Sequence, residues 1–480
     1  IVIFVLPEER IRWRTTLNLG GSGLKLALIG VMIWGVHHEH VYETRLPILP
    51  DIDLVLNADA MSVMMTALSG VLWFLTTLYA IAYLETSSQS RSRFFGFFSL
   101  CVSSTTGIAL AGNLMTFLMF YEMLTLSTYP LVVHRGTPES MRAGRTYIVY
   151  TFGGGAAFLI GVAWLKALVG SVAFTEGGML APYVDAYATQ LQFIFFLMIA
   201  GLGVKAALVP LHGWLPKAMV APAPVSALLH AVAVVKAGAF GIVRVVYDVY
   251  GIEFSAKLGL LQPLATTAAF TIIYGSVRAL FQDELKKRLA YSTVSQVSYI
   301  ALGAAIVGPI ATIGGIVHLV HQGLMKITLF FCAGNFAETL GVHNISQMNG
   351  AGRRMPLTMA AFTLGALGMI GVPPLAGFIS KWYLVTGGLA AGKPWVIAIL
   401  ITSSLLNAAY FLPIIYRGWF LEPAESGSNG PSSGKLETHW MLLLPPLMTA
   451  LLALLAGLLA NAPFSPLEWA RLIAALEYHP

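Results

Sequence analysis

Long apolar stretches recur along the whole chain, and each is close to the length of a membrane-spanning helix. An α-helix needs about 20 mostly apolar residues to cross a bilayer. With residues 1–6 as the end of a first span, the pattern predicts thirteen further spans, at 17–36, 61–84, 94–111, 113–133, 146–169, 191–229, 230–250, 258–280, 289–307, 309–336, 356–388, 395–416 and 439–461. The predicted fold class is therefore an all-α polytopic membrane protein with about fourteen transmembrane helices.

Prolines interrupt two of the predicted spans. Pro210 and Pro216 fall inside the seventh span, and Pro373 and Pro374 fall inside the twelfth. Proline removes a helical hydrogen bond and clashes with the preceding turn, so neither span can be one straight helix. The backbone groups freed by such a break need water or protein partners, and we expect them to line a cavity.

The two broken spans occupy matching positions in two sets of five helices. The first set covers 94–250 and the second covers 258–416, and the broken span is the fourth helix of each. The sets start on opposite sides of the membrane, which is the pattern of an inverted repeat. Interrupted helices at matching positions indicate a transport site. Residues 1–93 then hold the first three spans, and 417–480 hold a loop, the last span and a tail.

Composition agrees with a membrane protein. The chain is 57% hydrophobic and 10% charged, whereas soluble domains carry about 25% charged residues. The formal net charge of +6 does not predict nucleic-acid binding, because the basic residues lie in short loops between spans. The chain opens on Ile1 rather than Met, so we expect a few residues before it.

The distribution of basic residues supports the predicted spans and orients them. Sixteen of the 28 Lys and Arg residues lie in connections on one side, and four lie on the other. Cytoplasmic loops carry the excess of Lys and Arg. This bias predicts a multi-pass protein of the cell inner (plasma) membrane with both termini outside, and an acidic external loop at 37–59.

Glu122 and Lys205 are ionisable residues at predicted membrane depth. Such residues are rare, and each is a functional hypothesis by default. Glu122 lies in the fifth span, and Lys205 stands five residues before Pro210. We expect the two to pair and to respond to proton movement. The alternatives are a static ion pair, or a Lys205 side chain that reaches the membrane interface.

Further titratable residues follow the first break. Lys236 lies six residues after His230 in the eighth span. An unperturbed histidine titrates near physiological pH, so the two indicate a proton relay. A satisfied core histidine is the alternative for His230.

The eleventh and twelfth spans carry the remaining candidates. His318, Gln322 and Lys326 are spaced at four residues and share a helix face. His321 lies one turn from His318, and Lys381 follows the second break. For Lys381, extension to the interface is the alternative.

Redox and metal chemistry have no signature in the sequence. Cys101 and Cys332 lie inside apolar runs and are interpreted as small buried residues. HHEH at 37–40 is interpreted as a solvated loop, and Gly153–Gly155 as a site of close helix packing. We therefore predict no cofactor, no metal ion and no catalytic residue. The energy for transport must come from partner subunits or from an ion gradient.

Several motifs resemble those of one family. They are FYEMLTLSTYPLV with Glu122, LVPLHGWLPKAMVAPAPVSALLHAVAVVK with His230 and Lys236, DELKKRLAYSTVSQ, HLVHQGLMKITLFFCAG with Lys326, and GVPPLAGFISK with Lys381. The chain resembles the antiporter-like membrane subunits shared by respiratory complex I, Mrp-type Na⁺/H⁺ antiporters and membrane-bound hydrogenases, over roughly residues 50–420. Within the family it is most similar to the D-type subunit of the Mrp antiporters.

The resemblance implies fourteen helices, two inverted repeats and a charged axis through Glu122, Lys205, Lys236, the His318/Lys326 helix and Lys381. It implies other membrane subunits as partners and protons as the transported ion. Three hypotheses remain open: a subunit of a cation/proton antiporter, the pump module of a redox-driven complex, and a proton-channel subunit of another uptake complex. The sequence offers no cage of oxygen ligands suited to a hard cation such as Na⁺, so any Na⁺ is expected to pass through a neighbouring subunit.

Overall fold

The computed structural model describes residues 2–50, 52–85, 90–422 and 437–478. Most of the described chain is helical. The helices are α1 (Val2–Val5), α2 (Ile11–His37), α3 (Ala60–Tyr83), α4 (Arg91–Ala109), α5 (Leu114–Val132), α6 (Pro138–Val169), α7 (Val184–Lys205), α8 (Trp214–Lys217), α9 (Ala223–Ala231), α10 (Val234–Arg244), α11 (Ile252–Lys257), α12 (Leu261–Leu280), α13 (Leu285–Ala304), α14 (Pro309–Leu340), α15 (Ala351–Arg354), α16 (Pro356–Ile370), α17 (Ala376–Ala390), α18 (Trp395–Phe420), α19 (Trp440–Leu458) and α20 (Pro466–Tyr478).

Other regular elements are few within the described residues. A π-helical turn (Val245–Tyr250) continues α10, and short 3-10 turns lie at Ala181–Tyr183, Ala218–Val220 and Ile345–Gln347. Strands β1 (Glu43–Leu49) and β2 (Ile52–Asn57) form one antiparallel hairpin. The sequence pattern predicts a loop for this segment, so the hairpin is a correction. We call the side of the molecule that carries it the hairpin side.

Side-chain caps explain where several helices begin. Asp59 accepts a hydrogen bond from the Ser62 backbone N–H at the start of α3, at 2.7 Å. Asn113 does the same at the start of α5, and Thr137 at the start of α6. Such caps satisfy backbone donors that have no partner within the helix. The predicted span at 146–169 therefore begins earlier, at Pro138.

Two segments form the centre of the molecule. In both Ala223–Tyr250 and Pro309–Leu340, the most apolar 18-residue window is completely buried. Eight helices of the described chain are long and apolar enough to cross a membrane. The outer helix α2 exposes Leu24, Leu28 and Val31, as expected for a surface that faces lipid.

Both proline-rich segments break a helix as predicted. Helix α7 ends at Lys205, and the next long helical segment begins at Ala223. Helix α16 ends at Ile370, and α17 begins at Ala376. Each break contains a cis peptide bond before proline, at Pro210 and at Pro374.

The boundary predicted between the seventh and eighth spans, 191–229 and 230–250, is wrong. The helix after the break begins at Ala223, because Pro222 stands at its N-cap and Pro224 in its first turn. Proline is well tolerated there, since those backbone N–H groups have no helical partner. This helix is interrupted again at Val232 and Ala233, which have non-helical backbone angles.

Candidate functional site

Lys205 ends helix α7 at the first break, and its side chain is completely buried. Its ammonium group donates a hydrogen bond to the backbone carbonyl of Tyr121 in α5. The same nitrogen lies 3.3 Å from the centroid of the Tyr121 ring. A carbonyl dipole and an aromatic face therefore hold this cation.

Glu122 follows Tyr121 in α5, yet its carboxyl group makes no ion pair with Lys205 in the described structure. Its Oε1 atom is buried and has no hydrogen-bond partner there. Gly155 of α6 faces this oxygen, and a Cβ atom at that position would lie 2.2 Å from Oε1. Glu122 and Lys205 are thus neighbours, because Lys205 contacts the adjacent Tyr121, but their charged groups do not contact each other directly.

His230 and Lys236 lie on either side of the interruption in the helix that follows the break. The sequence pattern predicts His230 at the start of the helix that contains Lys236, but it lies in the last turn of α9. Its ring stacks on Phe330 with centroids 4.5 Å apart. Lys236, in α10, donates to the carbonyl oxygen of Leu319 in α14 at 2.7 Å. Lys236 therefore connects the first broken-helix unit to α14.

Of the three predicted residues in helix α14, two have hydrogen-bond partners. His318 Nδ1 lies 2.8 Å from the Ser380 hydroxyl oxygen in α17. Lys326 donates to the hydroxyl group of Ser292 in α13. His321 is completely buried, and neither ring nitrogen has a partner among the described residues.

Lys381 lies in α17, one turn beyond the second break. Its ammonium group donates to the carbonyl oxygens of Met369 (3.0 Å) and Ile370 (2.7 Å) and to the hydroxyl group of Ser404 (2.9 Å). The two carbonyls end α16, where a cation interacts favourably with the helix dipole. The side chain points inward and is 7% exposed, so it does not reach for the membrane interface.

The predicted residues connect helix by helix across the molecule. Lys236 bonds α10 to α14, and His318 bonds α14 to α17, where Lys381 follows Ser380. Helix α10 comes close to Lys205 at Gly238. A Cβ atom added to this glycine would lie 2.2 Å from the Ala206 backbone nitrogen, so the approach depends on glycine at this position.

The proline positions divide between the breaks and a short helix. Pro210, Pro373 and Pro374 lie in non-helical parts of the two breaks, whereas Pro216 lies in the short helix α8 within the first break.

Several polar partners of these residues were absent from the sequence prediction. They are Tyr121, Ser380 and Ser404. Asn407 belongs with them, because its side-chain amide donates to the Met369 carbonyl at 3.0 Å and so shares this acceptor with Lys381. Ser380 directly precedes Lys381, and Ser404 and Asn407 share one helix turn, so polar residues inside α17 and α18 were the available signal.

Several buried polar atoms without protein partners lie on α14 and on the helices α9 and α13 that pack against it. Among the described residues they are both ring nitrogens of His230 and His321, Nε2 of His318, and the side-chain amides of Gln296 and Gln322. Buried polar groups are normally hydrogen-bonded to protein or to ordered water. Water molecules are the natural partners for these atoms.

Comparison with known proteins places this arrangement in a family. The model of the family described as "NADH:quinone oxidoreductase/Mrp antiporter, TM" matches residues 111–407, more than half of the chain. The chain belongs to this family. The matched range includes Glu122, every candidate lysine and histidine, and both breaks.

Relatives of the family come from different complexes. The N subunit of the NADH-quinone oxidoreductase of Desulforudis audaxviator is 36% identical over 392 residues, covering 79% of this chain and 77% of that protein. The D subunit of the Na(+)/H(+) antiporter of Bacillus subtilis is 28% identical over 440 residues, covering 90% and 86%.

A solved structure supports the fold. A chain in the structure of the Mrp complex from Dietzia sp. DQ12-45-1b matches with a TM-score of 0.85 at 24% identity, over 98% of this chain and 93% of that one. The predicted fold class, an all-α multi-pass membrane protein of the antiporter-like family, is confirmed.

Proposed function

We propose that this chain is the proton-translocating subunit of a multi-subunit cation/proton antiporter, with a role like that of the D-type subunit. The observation that carries the proposal is the series of buried lysines and histidines running from Lys205 through Lys236 and His318 to Lys381. This series crosses both broken-helix segments and the two central segments, Ala223–Tyr250 and Pro309–Leu340.

The surroundings of the lysines suit proton carriers. Lys205, Lys236 and Lys381 are held by carbonyl or hydroxyl oxygens, and none forms an ion pair among the described residues. A buried positive charge is costly when no carboxylate compensates it. Each lysine can therefore accept and release a proton as the charge of its neighbours changes.

Water completes the proposed path. The lysines donate to oxygens of other residues rather than contacting one another, and His230, His318 and His321 carry buried ring nitrogens without protein partners. A water molecule that bridges two polar groups is enthalpically nearly as good as a direct hydrogen bond. We propose that protons pass through two half-channels along these waters and side chains, and that Glu122 and Lys205 approach or separate with the charge state of the axis.

The redox-driven alternative has an observation of its own. The 36% identity to the N subunit of an NADH-quinone oxidoreductase favours a role as the pump module of such a complex. Either role includes other membrane subunits as partners, and Na⁺, where it is transported, passes through a neighbouring subunit. The bias of Lys and Arg supports a plasma-membrane location with both termini outside.

The test of proton movement uses the whole complex in everted membrane vesicles with a fluorescent pH indicator. Lys205→Ala and Glu122→Gln are expected to reduce the pH gradient to the level of vesicles without the complex. Lys257→Ala, a change of an exposed lysine at the end of α11, is the control and should keep the native gradient. Native gradients in both test variants would refute the proposed axis.

The composition of the complex separates the two roles. Affinity purification of the native complex through this chain, followed by an iron assay, gives the readout. The antiporter role predicts hydrophobic partner subunits and iron at background level. Stoichiometric iron, as in an iron–sulfur enzyme, would overturn the antiporter role and favour the redox-driven one.

A further inference from the structure

The last helix, α20, packs on the hairpin side, against the beginnings of α3 and α14. The Trp469 indole N–H donates to the Ala60 carbonyl oxygen at 2.6 Å. The Tyr478 hydroxyl accepts from the Gly308 backbone N–H at 2.7 Å. Leu467 and Ile473 are buried against the core. The helix is therefore docked by both polar and apolar contacts.

Glu477 lies on the inward face of this helix and is only 5% exposed. One carboxylate oxygen, Oε2, accepts a hydrogen bond from the Gly177 backbone N–H at 3.2 Å. The carboxyl group lines the same small cavity as that of Asp248, in the π-helical turn, and interacts with it. Asp248 is 2% exposed, so two carboxyl groups meet in an interior site.

The single cation of this site is already engaged. The Arg244 guanidinium lies 2.7 Å from a carboxylate oxygen of Asp59 and 3.1 Å from one of Asp248. It also donates to Ser62 at 2.8 Å, while its buried Nε has no partner in the described structure. One positive charge thus faces four carboxyl groups, those of Asp59, Glu176, Asp248 and Glu477. Two carboxylates in contact inside a protein cannot both ionise readily.

Several titratable or charged groups face Glu477 from the surrounding elements: Asp248, Arg244, Asp59, Glu176, Tyr247 and Tyr478. Burial, followed by the adjacent Asp248 carboxylate, raises the pKa of Glu477 to about 9. Burial likewise raises the pKa of Glu176. At neutral pH the neutral form of Glu477 is the favoured one in the docked helix.

A chamber gives this site access to the surface. It has a volume of about 770 Å³, and Glu39, His40 and Glu468 contribute to its walls. Asp59 and Glu176 line both the chamber and the small cavity that holds Asp248 and Glu477. These shared residues provide a route for proton exchange.

We propose that the Asp248–Glu477 pair is a proton-binding site, and that the bound proton keeps α20 docked on the hairpin side. Loss of the proton leaves two carboxylates in contact and favours release of the helix. The proposal concerns the hairpin side alone and does not depend on the proposed function of the lysine axis.

The sign of the pH dependence follows from linkage. The docked helix keeps a proton that the released helix loses, since the ordinary glutamate pKa is 4.5. Docking therefore weakens as pH rises, by about tenfold per pH unit between the ordinary pKa and the raised one, and levels off above it.

A spin label on α20 measures docking in the purified complex in lipid nanodiscs. Ala475 is exposed on α20, and Cys101 and Cys332 are buried, so Ala475→Cys provides the labelling site. In the otherwise native chain, label mobility is expected to rise as pH increases from about 6 to about 10. In Glu477→Gln, whose amide is neutral at every pH, mobility should stay low throughout.

Two further variants complete the test. Asp248→Asn removes the opposing carboxylate but leaves Glu477 buried, so it should reduce the rise in mobility. Glu139→Gln changes an exposed acid in the first turn of α6 that does not line the chamber, and it should keep the native pH response. Constant mobility in the otherwise native chain, or the native response in Glu477→Gln, would overturn the proposal.

Discussion

Gly155 gives the Glu122 carboxylate its space between α5 and α6. An alanine Cβ at that position would lie 2.2 Å from Glu122 Oε1, too close for the carboxylate to stay where it is. We expect Gly155→Ala to lower proton transport in vesicles at least about tenfold, because small displacements of reacting groups can have effects of this size. The amount of assembled complex, measured by size-exclusion chromatography, should remain near the native level.

The same helix provides a matched control. Gly153 is exposed, and nothing lies within 4 Å of a Cβ added there. Gly153→Ala should leave transport unchanged and raise stability slightly, since alanine is favoured over glycine within a helix by about 0.5–1 kcal/mol. Equal transport in the two alanine variants would contradict a positioning role for Gly155.

At the level of residues, the sequence was sufficient to select the buried ionisable groups but not their partners. A lysine such as Lys205 or Lys236 is conspicuous in an apolar run, because charged residues at membrane depth are costly. Their acceptors are the backbone carbonyls of Tyr121 and Leu319. Every residue carries a carbonyl, so only the packing of helices determines which one is within reach.

At the level of elements, proline had opposite structural effects at nearby positions, since it interrupts a helix at one and begins a helix at another. Pro210 lies in a broken segment, as the rule for helix interiors predicts. Pro222 and Pro224 begin a helix instead, which moved the start of the predicted span. The interruption at Val232 and Ala233 contains neither Pro nor Gly, so the sequence carried no signal for it.

Lys381 links the two halves of the second broken helix, and its removal has a structural cost. Lys381→Ala leaves the Ile370 carbonyl without this donor, whereas Met369 keeps the Asn407 amide. An unsatisfied buried acceptor costs about 1–3 kcal/mol, so the apparent Tm of the purified complex should fall. Lys393→Ala, in the loop after α17, serves as the control and should keep the native Tm.

Lys381→Arg separates this structural role from proton transfer. Arginine keeps the donors and the positive charge, but it stays protonated in proteins. We expect a Tm closer to the native value than that of Lys381→Ala, together with proton transport near background in vesicles. Native transport by Lys381→Arg would show that proton exchange at this position is not required.

At the scale of the whole molecule, the connection between α10 and α14 distinguishes one continuous axis from two separate channels. Lys236 donates to Leu319, and Lys326 lies two turns further along α14 and donates to Ser292 of α13. The sequence predicts two similar units, but it does not reveal that the Lys236 side chain crosses from the first unit to contact the second. That contact depends on the burial of both central helical segments.

The double variant Lys236→Ala/Lys326→Ala tests the continuous axis. When two steps lie in series, blocking either one stops the flow, so each single variant and the double variant should show the same background level of proton transport in vesicles. Effects of residues that act as a unit are not additive. Two parallel channels would instead leave each single variant with a substantial part of the native transport, and only the double variant would reach background. Assembly of all three variants, checked by the yield of the purified complex, excludes loss of folding as the cause.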